Sequence, residues 1–281
     1  NSKVQRIQRD PLQAMTLGDE EYKQELKKRR EDVRRKKSWV ERCKFWKGGA
    51  ATSEPLETVV LEKTIIKIGS LLVLGFGEAG AEIIGSNMKG GDAGQANVMV
   101  PGKRVDAVFG FCSVRDFATA TEILQDKVMV FMNAIGEIVH GLVEEFFGAP
   151  NMNVGESFLL VWRLNALEKR RRAKIVDFAV LAFCKVLVAI NKSDVLAEYR
   201  EHPGLLMRMP NYRVRMGFGL HSGWAIEGAI GSEFKVDASY LSPNVKLARF
   251  VEASTSIYDV SILMSHAIFN HLSPQMRELC R

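Results

Sequence analysis

Two short motifs contain residue types that hold nucleotides in other proteins. The segment GFGEAG at 75–80 fits the pattern G-x-G-x-x-G and follows the apolar run SLLVL, so its glycines would let a pyrophosphate approach the N-terminus of a helix. The acidic residue that contacts a ribose about 20 residues further on has no counterpart near Asn97. A helix interrupted by glycines is therefore the favoured interpretation, and a dinucleotide-binding protein stays open as an alternative.

The second motif, NKSD at 191–194, has the N-K-x-D residues that read guanine. The chain lacks the G-x-x-x-x-G-K-[ST] loop that cradles the phosphates in such proteins, so we predict only the C-terminus of a helix here. The five histidines show no metal-ligand spacing. The four cysteines form no C-x-x-C pair, which favours a reducing compartment over a zinc ribbon or a redox motif.

The hydrophobic pattern from Val105 onward predicts strands and helices in the order βαββαβ. Apolar residues at helical spacing, from Leu124 to Leu142, indicate a long amphipathic helix. This order is typical of a ferredoxin-like α+β domain, in which helices cover one face of an antiparallel sheet. The predicted elements are a strand at 105–112, a helix at 119–147, a hairpin of strands 145–150 and 157–163 around a turn at 151–155, a helix at 167–190, a strand pair at 213–220 and 225–231, a helix at 244–254 and a strand at 260–264.

Three segments of this region resemble the catalytic domain of class III adenylate and guanylate cyclases. FGFCSVRDFATATE at 109–122 is similar to the family's F-x-D-I-x-x-F-T, and NMNVGESFLLVW at 151–162 is similar to K-x-x-G-D-x-F-L. The segment 218–253 is similar to G-x-H-x-G-x-x-x-x-G-x-x-G-S followed by V-N-x-A-x-R. The resemblance extends over residues 105–274 and is greatest with protist and algal members of the family.

In this family two Asp carboxylates bind two Mg²⁺ or Mn²⁺ ions, which activate the ribose 3′-hydroxyl for attack on the α-phosphate. A Lys and an Asp or Thr read the purine, an Asn orients the ribose, and an Arg stabilises the charge that develops on the phosphate. The resemblance implies that other residue types stand at these positions here: Ser113 and Glu156 for the metals, Met152 and Ser239 for the purine, and Lys246 and Phe250 for the ribose and phosphate.

Several of these replacements remove the chemistry that the position requires. Ser113 supplies a neutral hydroxyl instead of a carboxylate, Glu156 is one methylene longer than Asp, and Met152 donates no hydrogen bond. Phe250 carries no charge. The resemblance therefore implies a catalytically inactive cyclase-like protein that serves as a structural or interaction subunit, with no cofactor expected. The alternative is an active cyclase, or one that activates a partner, and either would need Mg²⁺ or Mn²⁺.

The basic character of the chain is confined to its N-terminal part. The 281 residues have a net charge of +6, yet residues 1–50 contain 15 Lys and Arg against 8 Asp and Glu, and the remainder is close to neutral. This distribution argues against a nucleic-acid-binding domain. We expect a long, helical, basic N-terminal arm that docks onto protein partners in a larger complex or onto a membrane surface, with contacts from Lys27, Lys28, Arg29, Arg30, Arg34, Arg35, Lys36 and Lys37.

These observations divide the chain into three expected regions. They are a basic helical arm and linker at 1–56, a helical segment with a Gly-rich loop at 57–100, and the cyclase-like domain at 101–281. The family's final strand pair would follow Pro274, where seven residues remain, so the last strands are expected to be missing. The resemblance also implies cyclase-like dimerisation. The most apolar stretch, at 68–77, is far shorter than the about 20 residues of a membrane-spanning helix.

Overall fold

The computed structural model describes residues 59–69, residue Gly75, and residues 101–280 except 165–167 and 233–234. The chain divides into two compact units, Asn1–Lys67 and Ile68–Arg281. Residues 59–69 are helical, and their side chains are almost all exposed. Among the described residues, no helix is both long enough and apolar enough to cross a membrane.

A six-stranded sheet forms the centre of the domain. Its strand order is β2-β3-β1-β4-β5, and β6 runs parallel to β4 while the other neighbours are antiparallel. The first four strands therefore have the antiparallel order of a ferredoxin-like βαββαβ unit, as the sequence predicts. The strands are β1 (Lys103–Val114), β2 (Ala149–Val154), β3 (Ser157–Arg163), β4 (Met216–Gly231), β5 (Val236–Leu241) and β6 (Ile262–Met264).

Helices of very different lengths connect the strands or follow the last strand. Two of them, α2 and α3, are the long crossover helices of the βαββαβ unit. Short 3₁₀ turns lie at Gln125–Lys127 and Glu198–Arg200. The helices are α1 (Phe117–Leu124), α2 (Val128–Glu145), α3 (Lys169–Lys192), α4 (Asp194–Ala197), α5 (Pro203–Arg208), α6 (Pro243–Ser254), α7 (His266–His271) and α8 (Pro274–Glu278).

Apolar side chains cover both faces of the sheet, which is why β3 is buried along almost its whole length. On one face, Phe131 and Ile135 of α2 and Phe183 of α3 pack with Trp162 into the larger core cluster. On the other face, a smaller core cluster contains Phe109, Leu159, Tyr240 and Ala248. The first cluster holds the crossover helices against the sheet, and the second holds α6.

Three sequence predictions about the elements were wrong in detail. The predicted helix at 119–147 is broken into α1 and α2 at Gln125, whose φ of 48° cannot continue a helix. The first hairpin strand is β2 rather than 145–150, because α2 continues to Glu145, and the turn lies at Gly155, where φ is 57°. The hairpin that this turn closes is otherwise as predicted.

The predicted strand pair at 213–220 and 225–231 is a single strand, β4, and its partner β5 was not predicted. The glycines in this segment look like turn signals in the sequence. In the structure they provide room for α6: a Cβ on Gly219 would overlap the backbone nitrogen of Glu252, and a Cβ on Gly223 would overlap the Asn244 side chain. Close helix packing, not a turn, therefore explains them.

Candidate functional site

The two positions that the cyclase resemblance assigns to metal ions lie side by side at one end of the sheet. Ser113 is the last residue but one of β1 and faces Ser157 of β3 and Gly217 of β4. Glu156 occupies the β2–β3 turn, and its carbonyl oxygen accepts a hydrogen bond from the backbone of Val114 at 3.1 Å. The fold thus brings Ser113 and Glu156 together although 43 positions separate them in the chain.

A second acidic residue, Glu252 of α6, completes this cluster. The Ser113 hydroxyl donates a hydrogen bond to Glu252 Oε1. Glu252 is only 8% exposed, whereas Glu156 is exposed. Glu252 was not predicted as a site residue from the sequence, although a signal for it exists: Glu252 follows Ala248 by four positions, on the buried stripe of α6 that also contains Val251.

Opposing effects act on the pKa of the Glu252 carboxyl group. Burial raises the pKa of Glu252 above its ordinary value, because removal from water disfavours the charged form. The Ser113 hydrogen bond lowers this pKa, as do the guanidinium groups of Arg115 and Arg249. The Glu156 carboxylate acts with burial and raises it. The net direction is upward, so desolvation is the dominant effect.

Arg115 holds the neighbouring segment in place. Its guanidinium donates to Thr255 Oγ1 at 3.1 Å and to the carbonyl oxygen of Val260 at 2.7 Å. Thr255 is itself buried, and its hydroxyl donates to the Glu252 carbonyl oxygen at 2.6 Å. The end of β1 is therefore connected to the C-terminal end of α6 by several hydrogen bonds.

The residues at this cluster do not fit a pair of divalent cations. Mg²⁺ requires near-octahedral oxygen coordination, usually from one or two carboxylates together with substrate phosphates. Ser113 brings no charge and already donates to Glu252. Among the described residues, no group of three or more His, Cys, Asp and Glu side chains is arranged to hold a metal ion.

The two purine positions lie on β2 and β5, at opposite ends of the strand order. Met152 of β2 packs against the smaller core cluster. The neighbouring Asn151 side chain donates from Nδ2 to the carbonyl oxygen of Ala238 at 3.3 Å, and Ala238 directly precedes Ser239. This contact shows that the sheet curves enough to bring β2 and β5 together. A thioether at Met152 accepts hydrogen bonds only weakly and donates none.

Lys246 and Phe250 are four residues apart on α6 and therefore lie on one face of the helix. Both are exposed, and Phe250 keeps 66% of its surface accessible. Phe250 precedes Glu252 by two residues, which places the two on different sides of α6. The buried side of α6, with Val245 and Ala248, packs on the cluster that also contains Met152.

Two further polar features, His221 and the NKSD segment, have structural roles. His221 of β4 is 6% exposed and pairs through Nδ1 with Ser265 Oγ at 2.8 Å and through Nε2 with Asn244 Oδ1 at 3.2 Å. Burial lowers the pKa of His221. The NKSD segment ends α3, as predicted, and Ser193 caps α4 by accepting from the Leu196 backbone at 3.3 Å.

Three sequence predictions fall largely outside the described residues, and one of them is the helical segment with a Gly-rich loop at 57–100, of which only 59–69 and Gly75 are described. All eight basic residues assigned to the N-terminal arm, from Lys27 to Lys37, lie there. In the GFGEAG segment, only Gly75 is described, and it is helical rather than at the end of a strand. A helical Gly75 agrees with the interpretation of a glycine-interrupted helix, and the remaining residues 76–80 lie outside the described part.

Comparison with known proteins found a matching family model and a curated relative. The family model for the all-helical domain of RasGEFs matches residues 1–89. A curated adenylate cyclase of Anabaena cylindrica is 18% identical over 165 residues, which are 58% of this chain and 30% of that protein. The chain thus spans less than a third of the length of this relative.

Solved structures resemble most of the chain. A bacterial light-regulated adenylyl cyclase is 19% identical with a TM-score of 0.61, covering 80% of this chain and 60% of that one. The guanylyl cyclase domain of the RhoGC fusion protein from the aquatic fungus Blastocladiella emersonii, described as a non-canonical dimer, is 13% identical with a TM-score of 0.45, covering 60% of this chain and 84% of that one. The similarity to the light-regulated adenylyl cyclase confirms, at the level of architecture, the resemblance noted in the sequence: this chain contains a domain with the fold of class III adenylyl and guanylyl cyclase catalytic domains.

Proposed function

We propose that this cyclase-like domain is catalytically inactive and serves as a structural or interaction subunit of a larger assembly. One observation carries the proposal: the Ser113 hydroxyl, at the position of the first metal carboxylate, donates a hydrogen bond to the buried Glu252 side chain. This contact engages the side chain that the resemblance assigns to the metal position in an internal interaction of the domain. The remaining carboxylate, Glu156, is exposed and alone cannot hold two ions.

The α6 positions support the same proposal. In the family's reaction, an Arg stabilises negative charge in the transition state, and the loss of one such group commonly lowers the rate by about 10²- to 10³-fold. Here that position is the uncharged, 66% exposed Phe250. Lys246 replaces the amide that orients the ribose, and Met152 replaces the purine-reading cation. A domain that lacks both the metal ligands and the residues for the ribose and phosphate cannot complete a site with an intact partner.

An assay for cyclic nucleotide formation tests the proposal directly. The full chain is incubated with Mn²⁺ and either ATP or GTP, and cyclic AMP and cyclic GMP are quantified. We expect no product above the level of a protein-free sample. The control carries Ser113→Asp, Glu156→Asp, Lys246→Asn and Phe250→Arg and must first unfold at a temperature similar to that of the wild type. Product from the wild-type chain would overturn the proposal.

A second candidate function is an active or partner-activating cyclase that binds ATP or GTP with Mg²⁺ or Mn²⁺. The fold similarity to a light-regulated adenylyl cyclase supports this second candidate. Such a protein binds nucleotide, and a ligand that binds only the folded state raises the unfolding temperature. Thermal unfolding with and without Mn²⁺–ATP separates the two candidates, because a non-binding scaffold has the same transition in both.

We assign the contacts with partners to two surfaces, the basic N-terminal arm and α6. We place docking to protein partners, or to an anionic membrane surface, on the basic arm, and the match of residues 1–89 to an all-helical family model supports a helical arm. Cyclase-like self-association is assigned to α6. Replacing Lys27, Lys28, Arg29 and Arg30 by Glu should abolish docking through the arm and leave self-association unchanged, which sedimentation of the full chain with and without anionic vesicles measures.

A further inference from the structure

A cleft of about 530 Å³ opens between the start of β4 and the C-terminal end of α3. Its volume lies within the range of sites that bind small organic molecules. Apolar atoms come from Leu187, Met209 and Val214, and charged groups come from the β1–α1 turn and from the segment before β4. None of the positions assigned above to metal, purine, ribose or phosphate lines this cleft.

Tyr212 supplies an unsatisfied polar group in the wall of the cleft. The Tyr212 side chain is 6% exposed, and its hydroxyl is buried without a hydrogen-bond partner among the described residues. A buried hydroxyl without a partner is unfavourable and is normally satisfied by protein, water or ligand. Burial raises the pKa of Tyr212 to about 12, with the Asp116 carboxylate acting in the same direction. The hydroxyl therefore remains a donor throughout the neutral range.

Arginine side chains give the cleft a positive character. Three guanidinium groups, of Arg115, Arg213 and Arg215, line it together with the carboxylates of Asp116 and Asp259. Arg215 forms an ion pair with Asp116 at 2.7 Å, with both side chains about half exposed. Arg115 is engaged by Thr255 and Val260, as described above. Arg213 is exposed and makes no hydrogen bond or ion pair with the described residues.

We propose that this cleft binds a small organic oxyanion, a carboxylate or phosphate monoester with an apolar body. The planar guanidinium of Arg213 matches the geometry of either oxyanion. The Tyr212 hydroxyl gains a hydrogen-bond partner, and the apolar body contacts Leu187, Met209 and Val214. The cleft contains none of the positions assigned to catalysis. A cleft that binds no oxyanion would therefore leave the proposed inactivity standing, and cyclic nucleotide formation would leave the cleft proposal standing.

Calorimetric titration of the full chain with phenyl phosphate, benzoate and inorganic phosphate tests the proposal. We expect phenyl phosphate or benzoate to bind at one site, and the better of the two identifies the oxyanion. Inorganic phosphate should bind more weakly because it lacks the apolar body. The Arg213→Gln variant should bind the better probe about tenfold more weakly, the usual effect of losing one charge-assisted hydrogen bond.

The matched control is Arg208→Gln, which removes an exposed arginine in the same connection between α3 and β4. Arg208 is ion-paired to Glu122 at 3.0 Å and does not line the cleft, so this variant should bind as the wild type does. Tyr212→Phe should weaken binding without lowering the unfolding temperature, since the hydroxyl loses no partner. The proposal is overturned if neither phenyl phosphate nor benzoate binds, or if Arg213→Gln and Arg208→Gln have the same affinity.

Discussion

Ser113 and Glu252 lie 139 positions apart in the chain, and the Ser113 hydroxyl donates a hydrogen bond to the Glu252 side chain. The contact joins the end of β1 to α6 at the place where the cyclase resemblance puts a metal ion. A hydroxyl can donate to the neighbouring buried carboxyl group of Glu252, whereas a carboxylate at position 113 would have no hydrogen to donate and would lie near the like charge of Glu156. The local structure is therefore organised around an internal hydrogen bond.

Removing the donor from this pair should destabilise the domain. In Ser113→Ala, Glu252 stays buried without its hydrogen bond, and we expect the free energy of unfolding to fall by about 1–3 kcal/mol. Urea unfolding followed by circular dichroism measures the change. The control is Ser256→Ala, because the exposed Ser256 hydroxyl donates only to the Ala253 carbonyl oxygen at 2.8 Å. Equal stability of Ser113→Ala and wild type would contradict the role given to this contact.

Glu252 should make the stability of the domain depend on pH. Its pKa is raised by burial above the ordinary value of 4.5. Between pH 4.5 and the raised pKa, the folded state therefore holds a proton that the unfolded chain has released. Stability from this group is therefore present below pH 4.5 and is lost as the pH rises through the raised pKa. The free energy of unfolding of Glu252→Gln, relative to that of the wild type, should therefore increase from acid to neutral pH.

Urea unfolding at a series of pH values measures this difference. The same substitution at Glu137, an exposed residue of α2, serves as the control for general charge effects. A stability difference between Glu252→Gln and wild type that does not change with pH would show that the Glu252 proton is not linked to folding.

Two glycines should respond in opposite directions to the same substitution. A Cβ on Gly219 of β4 would overlap the backbone of α6 at Glu252, so we expect Gly219→Ala to lower the free energy of unfolding by at least about 3 kcal/mol. A Cβ on Gly141 in α2 meets no atom within 4 Å. Gly141→Ala should raise the free energy of unfolding by about 0.5–1 kcal/mol through helix propensity. Thermal unfolding of both variants decides whether α6 contacts β4 this closely.

The exposed face of α6 should control self-association. Phe250 is 66% exposed and Met129 of α2 is 64% exposed, so replacing either by Asp should leave the free energy of unfolding nearly unchanged. If α6 forms the dimer contact, only Phe250→Asp should increase the monomer fraction in sedimentation velocity. The same sedimentation behaviour for both variants would remove α6 from the interface.

Much of the domain could be predicted because its pattern is local. The apolar spacing in 124–142 and the apolar strand at 105–112 are sufficient to indicate a crossover helix and a central strand, since each periodicity follows from the geometry of one element. Together with the order of elements they predict the ferredoxin-like topology. The break at Gln125 and the continuous strand β4 were missed, because a backbone angle and the close approach of a helix leave ambiguous signals in the sequence.

The candidate site, like the fold, could be predicted from the sequence only in part. The sequence by itself determined which residue types stand at the cyclase-like positions, including Ser113 in place of a carboxylate and Phe250 in place of a cation. Only the tertiary structure decided that Glu252 takes the Ser113 hydrogen bond, and that Tyr212 and Arg213 line a cleft with Leu187. These contacts depend on how α3 and α6 pack on the curved sheet, and packing between distant segments is set by the whole core rather than by any one stretch of sequence.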